Sequence, residues 1–196
     1  MNSEPLHTRL ETPLGPMLLV SDGEAITGFY YADEPHLPAA SKNWVHRPDA
    51  AIFVRTEQQL REFAAGTRRE FDLPVRLSGT PFQKTIWEII ASIPFGETIS
   101  YSELAGRAGR PKAVRAAGAA TGQNPVSWIV PCHRVVGKNG TLTGYAGGLN
   151  RKTTLLRFEA ARKRGQPAAL AMEENPGELP GLNDRPKSSA ALPPAW

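Results

Sequence analysis

The chain has one cysteine among its 196 residues, and this limits how it can fold. A single thiol allows no internal disulfide and supplies too few ligands for a structural zinc site. His7, His36 and His46 show no spacing of paired ligands, so we predict no metal and no cofactor. A hydrophobic core must then stabilise the fold, and 40% apolar residues suffice for one large or two small domains.

The chain contains no segment typical of membrane proteins. Residues 1–10 lack the apolar stretch of a signal peptide, and no run approaches the roughly 20 apolar residues that span a bilayer. We therefore expect a cytoplasmic protein without membrane contact.

The cysteine lies in Pro131-Cys132-His133-Arg134, directly after the apolar run 128–130, which predicts a thiol at the end of a strand. Two interpretations are open. Free cysteine is among the most buried residue types, so Cys132 could fill the core. Alternatively it is a nucleophile whose proton goes to His133; since adjacent strand residues point to opposite faces, we expect one water between them.

Positive charge is concentrated in one part of the chain. Residues 80–164 hold 13 Lys and Arg against 4 Asp and Glu, whereas 1–79 and 165–196 are mildly acidic. A basic segment of this kind is typical of a nucleic-acid-binding face, because phosphate neutralisation supplies most sequence-independent affinity. A solvated basic surface explains the same numbers equally well.

The first part of the chain has an α/β pattern. Apolar residues 17–20 and 25–31 flank a turn at 21–24, which predicts a β-hairpin. Helical spacing over 49–65 predicts a helix that ends at Gly66. We place a domain boundary after residue 79, which gives an N-terminal α/β domain over 1–79.

Helix signals dominate the next part. Thr80-Pro81-Phe82-Gln83 is a capping box with proline at the first helical position, and the apolar stripe behind it ends at Pro94. Ser100 and Glu103 cap a second helix through Ala108, and Pro111 is placed to begin a third that runs to Thr121. Short helices across a tight turn indicate a helix-turn-helix.

The third helix is rich in alanine, with Lys112 and Arg115 as its only long side chains. Such a surface suits close approach to a DNA groove, although tight packing between helices explains it too. Residues 135–136 and 141–142 flank an Asn-Gly turn, which predicts a strand pair that would serve as a wing.

Residues 143–148 form a glycine-dense loop, which would let backbone amides approach a flat ligand. Cradling of a phosphate is the alternative, but the loop lacks the lysine and hydroxyl residue of a P-loop. Asn150 is expected to cap a last helix over 151–164, with Glu159 on its inward face. A buried carboxylate needs a partner: His133, or a basic neighbour such as Arg162 or Lys163.

These motifs together resemble the O6-alkylguanine-DNA alkyltransferases, also called the methylated-DNA--protein-cysteine methyltransferase family. The resemblance covers roughly residues 8–164. It is carried by Gly79 to Gln83, Ile93 to Thr98, Ser100-Tyr101, Arg110 to Arg115, Asn124-Pro125, Pro131-Cys132-His133-Arg134, Gly144-Tyr145-Ala146-Gly147-Gly148 and Glu159.

The resemblance implies an N-terminal α/β domain of ribonuclease H-like topology. A mostly α winged helix-turn-helix domain over 80–164 would bind DNA and transfer the alkyl group. The implied activity is DNA repair: irreversible, stoichiometric transfer of an alkyl (methyl) group from O6 of guanine, and from O4 of thymine, to the protein's own cysteine. The partner is double-stranded DNA that carries O6-alkylguanine. We expect a monomer that can cluster on DNA.

The resemblance also implies roles for individual residues. Cys132 would be the nucleophile and alkyl acceptor, His133 its water-mediated base, and Glu159 the residue that orients the imidazole. Asn124 would brace the structure by hydrogen bonding. Tyr101 would donate to guanine N3 as charge develops on the leaving base.

Substrate recognition would use mostly the backbone. The carbonyls of Cys132 and Val135 would accept the guanine amino group, the Ala146 amide would face O6, and Tyr145 would line the same pocket. Since the base must leave the stack, an arginine on the recognition helix would enter the vacated space. Three residues would contact DNA, namely Arg115, Lys112 and Ala116.

The chain departs from the family pattern in places. Ala146 stands where some members have serine, and Ser127-Trp128 where others have proline and an aliphatic residue. Both changes bear on the width of the pocket. Residues 165–196 lie outside the resemblance and contain six prolines, so we expect a largely disordered tail.

Other functions predict different features. A DNA-binding protein that recognises such lesions without chemistry would lack the thiol. A cysteine hydrolase would use Cys132, His133 and Glu159 but would not need a basic helix-turn-helix. A transcription regulator could use the winged helix alone, and the sequence leaves that open as a second role.

Overall fold

A four-stranded sheet occupies the N-terminal part of the computed structural model, which describes residues 4–34, 37 and 43–171. The strands are β1 (Leu6–Thr12), β2 (Gly15–Ser21), β3 (Ile26–Tyr31) and β4 (Val45–His46), in the order β3-β2-β1-β4. β1, β2 and β3 are antiparallel neighbours, and β4 runs parallel to β1. The predicted hairpin is confirmed as β2 and β3.

The first two helices follow their sequence signals. α1 (Ala51–Ala64) buries Phe53, Leu60 and Phe63, and Gly66 follows it with a φ of 74° that favours glycine. α2 (Pro81–Ala91) begins with the full capping box predicted at Thr80. Both helices are confirmed.

The two short helices predicted in the next segment are present, with one boundary moved. β5 (Ile99–Ser100) leads into α3 (Tyr101–Arg107), whose Ser100 cap accepts from the Glu103 amide. α4 (Val114–Gly122) begins three residues after the predicted Pro111. The Ala113 amide donates to the Arg110 carbonyl, and this closes a turn that keeps residues 111–113 outside the helix.

The residues before the cysteine do not form the predicted strand. The Val130 amide donates to the Val126 carbonyl, and Trp128 adopts a φ of 70°, so the apolar run 128–130 is a turn. A short 3-10 helix, Cys132–Arg134, follows it. The prediction that Cys132 ends a strand is therefore wrong.

The predicted wing also differs. β6 (Val135–Val136) pairs in parallel with β5, and residues 141–142 are not in a strand. The Gly137 amide donates to the Thr141 carbonyl and closes a loop that contains a second 3-10 turn, Lys138–Gly140. The strand pair across the Asn-Gly turn is thus wrong, because β6 is hydrogen bonded to a distant segment instead.

The last helix, α5 (Leu149–Lys163), starts before the predicted cap Asn150, since Gly148 with a φ of 87° occupies the capping position. The described part of the chain is thus a mixed α/β fold with a small sheet, a short strand pair and five α-helices. No helix within the described ranges is both long and apolar enough to cross a membrane.

One continuous hydrophobic core joins the sheet and the helices, with members from β2, α2 and α5 among others. Part of the expected tail belongs to it. Leu170 is buried, and its amide donates to the Ala64 carbonyl at 2.8 Å. The expectation of disorder is therefore wrong for residues 165–171, while 172–196 lie outside the described residues.

Candidate active site

The thiol of Cys132 is nearly buried, at 5% exposure of the residue, yet it lines a partly open cavity of about 280 Å³. The cavity is enclosed by α3, α4, the Cys132 turn and the glycine-dense loop. Its lining residues are Tyr101, Gly118, Thr121, Gly122, Cys132, Gly144, Tyr145 and Ala146. A cysteine that only filled the core would not border a space of this size.

His133 is fully buried beside the cysteine, and its Nε2 lies 2.9 Å from Oε1 of Glu159. An ionised carboxylate can only accept, so Nε2 carries the proton and Nδ1 is the bare acceptor. Nδ1 has no hydrogen-bond partner among the described residues. Burial lowers the pKa of His133 although Glu159 opposes this, so the resting imidazole is neutral.

Glu159 is the centre of a buried charge network. Arg134 donates to both of its oxygens from Nε and Nη2, at 2.9–3.2 Å, and the Gly96 amide donates at 2.9 Å. Burial alone raises the pKa of Glu159, but His133 and Arg134 outweigh it and hold the value at about 2. The expected pairing of Glu159 with His133 is confirmed.

The alternative partners of Glu159 lie elsewhere. Arg162 donates to the Gly66 carbonyl, and Lys163 pairs with Glu97. Arg134, whose charge offsets that of Glu159, was quoted in the sequence motif without a role. The sequence signal for its role is that Arg134 directly follows His133 and so must lie near the histidine and its carboxylate partner.

Asn124 holds the turn before the cysteine. Its Nδ2 donates to the Val130 carbonyl at 2.8 Å, and its Oδ1 accepts from the Val126 amide at 3.1 Å. Burial raises the pKa of the Cys132 thiol, while a hydrogen bond from Asn124 and the charge of Lys152 oppose this rise. Asn124 thus fixes the backbone of the turn and also favours ionisation of the thiol.

Tyr101 is the first residue of α3 and faces the thiol across the cavity. Its hydroxyl donates to the carbonyls of Thr143 and Gly144, each at 3.2 Å. Burial raises the pKa of Tyr101 to about 12, so the phenol keeps its proton. It can therefore act as a donor inside the cavity.

Lys152 is a site residue that the sequence analysis missed. It is fully buried, and its ammonium donates to the carbonyls of Val135 at 2.6 Å, Thr143 at 2.9 Å and Gly144 at 3.2 Å. Burial lowers its pKa to about 8. A signal existed: Lys152 precedes Glu159 by two helical turns, which puts both side chains on one face of α5.

The predicted recognition residues fall on two walls. Tyr145 and Ala146 line the cavity. Val135 is buried, and its carbonyl accepts from Lys152. Lys152 donates to the carbonyls of Val135, Thr143 and Gly144, so the two walls lie side by side.

The predicted DNA contacts lie on the outer face of α4 and just before it. Lys112, Arg115 and Ala116 are all exposed, while Ala117 and Ala120 of the same helix are buried. No ion pair occupies Lys112 or Arg115 among the described residues. Both cations are available to an anionic partner.

Within residues 4–34, 37 and 43–171, no group of three or more His, Cys, Asp or Glu side chains is arranged to hold a metal ion. The absence of a metal and a cofactor remains a prediction.

Comparison with known proteins places this geometry in context. Residues 81–161 match the family described as 6-O-methylguanine DNA methyltransferase, DNA binding domain. The methylated-DNA--protein-cysteine methyltransferase of Mycobacterium tuberculosis is 42% identical over 168 residues, which cover 85% of this chain and 98% of that protein. The constitutive enzyme of that name from Bacillus subtilis is 40% identical and covers 78% of this chain and 94% of its own length.

A solved structure agrees with the sequence relatives. The M. tuberculosis OGT in complex with DNA superposes with a TM-score of 0.76 at 40% identity, over 83% of this chain and 96% of that one. Relatives at this identity cover the sheet, the helices and the cysteine turn together. The chain therefore belongs to the methylated-DNA--protein-cysteine methyltransferase family.

Proposed function

We propose that this protein repairs DNA by irreversible, stoichiometric transfer of an alkyl group, typically methyl, from O6 of guanine to the sulfur of Cys132. The observation that carries the proposal is the thiol on the cavity wall beside a buried His133–Glu159 pair. The names of the relatives support the same reaction. O4-alkylthymine is a second substrate in this proposal.

Activation of the thiol begins at His133. Its neutral imidazole offers Nδ1, and we infer that a water passes the thiol proton to this atom. Glu159 then stabilises the imidazolium that forms, since its carboxylate is ionised. Arg134 fixes both carboxylate oxygens, although its own positive charge opposes the imidazolium. Asn124 keeps the turn in place.

Transfer itself is a displacement at a saturated carbon. The sulfur–carbon bond forms as the carbon–O6 bond breaks, and the electron pair of the broken bond goes to guanine. The Tyr101 hydroxyl, whose single proton points at the Thr143 and Gly144 carbonyls in the free protein, turns to donate to guanine N3, where negative charge develops. The leaving base gains one proton, which balances the proton that the thiol gave up. Water does not hydrolyse the thioether product, so one protein molecule repairs one lesion.

Recognition of the base uses the backbone of the cavity walls. The carbonyls of Cys132 and Val135 accept the guanine amino group, the Ala146 amide faces O6, and Tyr145 forms the side wall. A cavity of about 280 Å³ supports the insertion of a single purine. The base must leave the stack to reach it, at a cost of a few kcal/mol.

DNA binding uses the surface of α4. Exposed Arg115 enters the space that the base leaves, and Lys112 and Ala116 lie against the backbone and the minor groove. The M. tuberculosis relative solved with DNA supports a DNA partner for this chain. We infer a monomer that clusters on DNA, in the reducing cytoplasm that keeps the thiol available.

We also propose a division of the fold into two domains. We assign residues 1–79 to an N-terminal domain of ribonuclease H-like topology and 80–164 to a winged helix-turn-helix domain. The loop 137–141, with its short 3-10 turn, takes the position of the wing. Residues 165–196 follow the two domains.

Mass spectrometry after mixing the protein with an excess of O6-methylguanine duplex tests the reaction. We expect one methyl group per protein, located on Cys132, and no further turnover. Cys132→Ser should gain no methyl group while it keeps its affinity for the duplex in a gel-shift assay. Repeated turnover without modification of the protein, as in a hydrolase, would refute the mechanism.

The role of α4 has its own test. Arg115→Ala should slow methyl transfer from duplex by about 10²-fold, because base extrusion costs a few kcal/mol, and should leave transfer from free O6-benzylguanine unchanged. Lys112→Ala is the matched control because it removes one cation from the same surface. It should weaken duplex binding without a comparable loss of the methyl-transfer rate at saturating duplex. Equal losses with duplex and free base would contradict the extrusion role.

A further inference from the structure

Trp128, one of the departures from the family pattern, is tied to the N-terminal sheet. The indole is buried, and its Nε1 donates to the hydroxyl of Tyr31 at 2.6 Å across 97 residues of chain. Tyr31 is the last residue of β3 and is fully buried. A hydrogen bond this short between two buried side chains fixes the position of the phenol oxygen.

The same phenol oxygen lies 3.3 Å from the hydroxyl of Tyr145, which lines the cavity. This separation is long for a hydrogen bond between two hydroxyls, but the two aromatic rings also pack against each other. Their centroids are 6.2 Å apart with an interplanar angle of 70°, an edge-to-face arrangement. The side wall of the cavity therefore rests on a residue of the sheet.

The loop also approaches the Tyr31 ring through Gly147. A Cβ on Gly147 would lie 2.3 Å from Cε2 of Tyr31 and 2.9 Å from Cε1 of Tyr145, so only glycine fits between the two rings. Arg151 lies 4.4 Å from the centroid of the Tyr31 ring and donates to the Gly147 carbonyl at 3.0 Å. The ring thus contacts the loop at a second point, independent of its hydroxyl.

We propose that Tyr31 is a positioning residue of the alkyl-transfer site: its hydroxyl fixes Tyr145 and its ring seats Gly147, so that Ala146 between them holds the cavity at a width that favours a small alkyl group. The inference rests on the proposed function. It assigns the N-terminal sheet a part in substrate selection.

Loop composition explains why such support matters. Residues 144–148 include three glycines, whose backbones are free to adopt many conformations. Reaction rates depend steeply on the placement of the reacting groups, and a shift of about 1 Å can cost about 10²-fold. A loop of this kind needs contacts from outside itself to keep the Ala146 amide in one place.

Tyr31→Phe tests the proposal, because it removes both hydroxyl contacts and keeps the ring. At saturating duplex, methyl transfer should slow by about tenfold, a fraction of the effect of a full 1 Å misplacement. Benzyl transfer should slow less, because a looser Tyr145 admits the larger group. The ratio of benzyl to methyl rate constants should therefore rise, while affinity for the duplex stays the same.

Two further variants separate positioning from stability. Tyr31→Phe leaves the Trp128 Nε1 buried without an acceptor, which lowers the melting temperature on its own. The double variant Tyr31→Phe/Trp128→Phe leaves no buried indole nitrogen without an acceptor, although the smaller ring leaves a void in the core; it should keep the altered benzyl-to-methyl ratio. Tyr30→Phe is the matched control: it lies one residue earlier on β3, and its hydroxyl makes no hydrogen bond within the described residues.

The outcomes are distinct. A wild-type protein that accepts no methyl group would overturn the proposed function. A wild-type protein that transfers normally, with an unchanged benzyl-to-methyl ratio in Tyr31→Phe, would overturn only the positioning role. A wild-type ratio in the double variant, which also lacks the Tyr31 hydroxyl, would overturn it too.

Discussion

The two sides of the cavity are built differently. On the reactive side, the turn 132–134 and Glu159 form a compact buried network in which the carboxylate accepts from His133, Arg134 and the Gly96 amide. On the substrate side, the glycine-dense loop 143–148 is held by residues outside it, chiefly Lys152, Tyr101 and Tyr31. Charge pairing fixes one wall, and contacts from separate elements fix the other.

The difference teaches where chemistry and selectivity reside. The reactive groups come from one short turn and one helix, so their geometry depends on few elements. The loop depends on α3, α5 and the end of β3 together. Changes far along the chain can therefore alter which alkyl group is accepted while the nucleophile and its base stay in place.

Glu159→Gln should give the largest effect, on the reactive side. It leaves the buried Arg134 guanidinium without a counter-charge, and breaking a buried ion pair costs about 3–5 kcal/mol. The free energy of unfolding from urea titration measures this loss. Glu97→Gln, which removes a surface partner of Lys163, should cost under about 1 kcal/mol; similar losses for both variants would break the comparison.

Lys152→Met should have a smaller effect, on the substrate side. It preserves the packing of the alkyl chain but removes the donor shared by the Val135, Thr143 and Gly144 carbonyls, at a cost of about 1–3 kcal/mol. The rate of methyl transfer should fall because the loop 143–148 loses its hydrogen bonds from Lys152. Lys163→Met, the same change at an exposed site of α5, should leave the transfer rate unchanged.

If Lys152→Met transferred methyl at the wild-type rate, the loop would not depend on the Lys152 ammonium. The two walls would then be more alike than their contacts indicate.

The smallest expected effect is on the pH dependence of the transfer rate, to which each side of the cavity should contribute one limb. Protonation of His133 blocks the base, and burial lowers its pKa, so the rate should fall only at a pH below the ordinary pKa of histidine. On the alkaline side, loss of the Lys152 proton near pH 8 should weaken the loop and reduce the rate. Single-turnover rates across pH measure both limbs.

Lys152→Met supplies the check on this assignment. The alkaline limb should disappear in that variant while the acid limb stays. An unchanged alkaline limb would assign it to another group.

Local signals made much of the fold predictable. The capping box at Thr80 and the spacing behind it gave α2, and periodicity gave α1 and the inward face of Glu159. Cys132 and His133 were recognisable because their chemistry is written in adjacent residues. In each of these cases the deciding interactions lie within a few positions along the chain.

The remaining features depend on contacts between distant segments. The apolar run 128–130 has strand-like composition, yet Trp128 takes a positive φ and turns toward Tyr31. β6 pairs with β5 rather than with the residues across the Asn-Gly turn, and Leu170 packs beside α1 despite its proline-rich surroundings. Composition and spacing carry no record of such pairings.

The indole that joins the sheet to the cavity is also an intrinsic optical reporter. Its nitrogen donates to the Tyr31 hydroxyl, which meets the Tyr145 hydroxyl on the cavity wall, so we expect an incoming purine to change the polarity around the chromophore. Since the chain has four tryptophans, the difference in ultraviolet emission between the wild-type protein and Trp128→Phe should report entry of a modified base before any covalent bond is made.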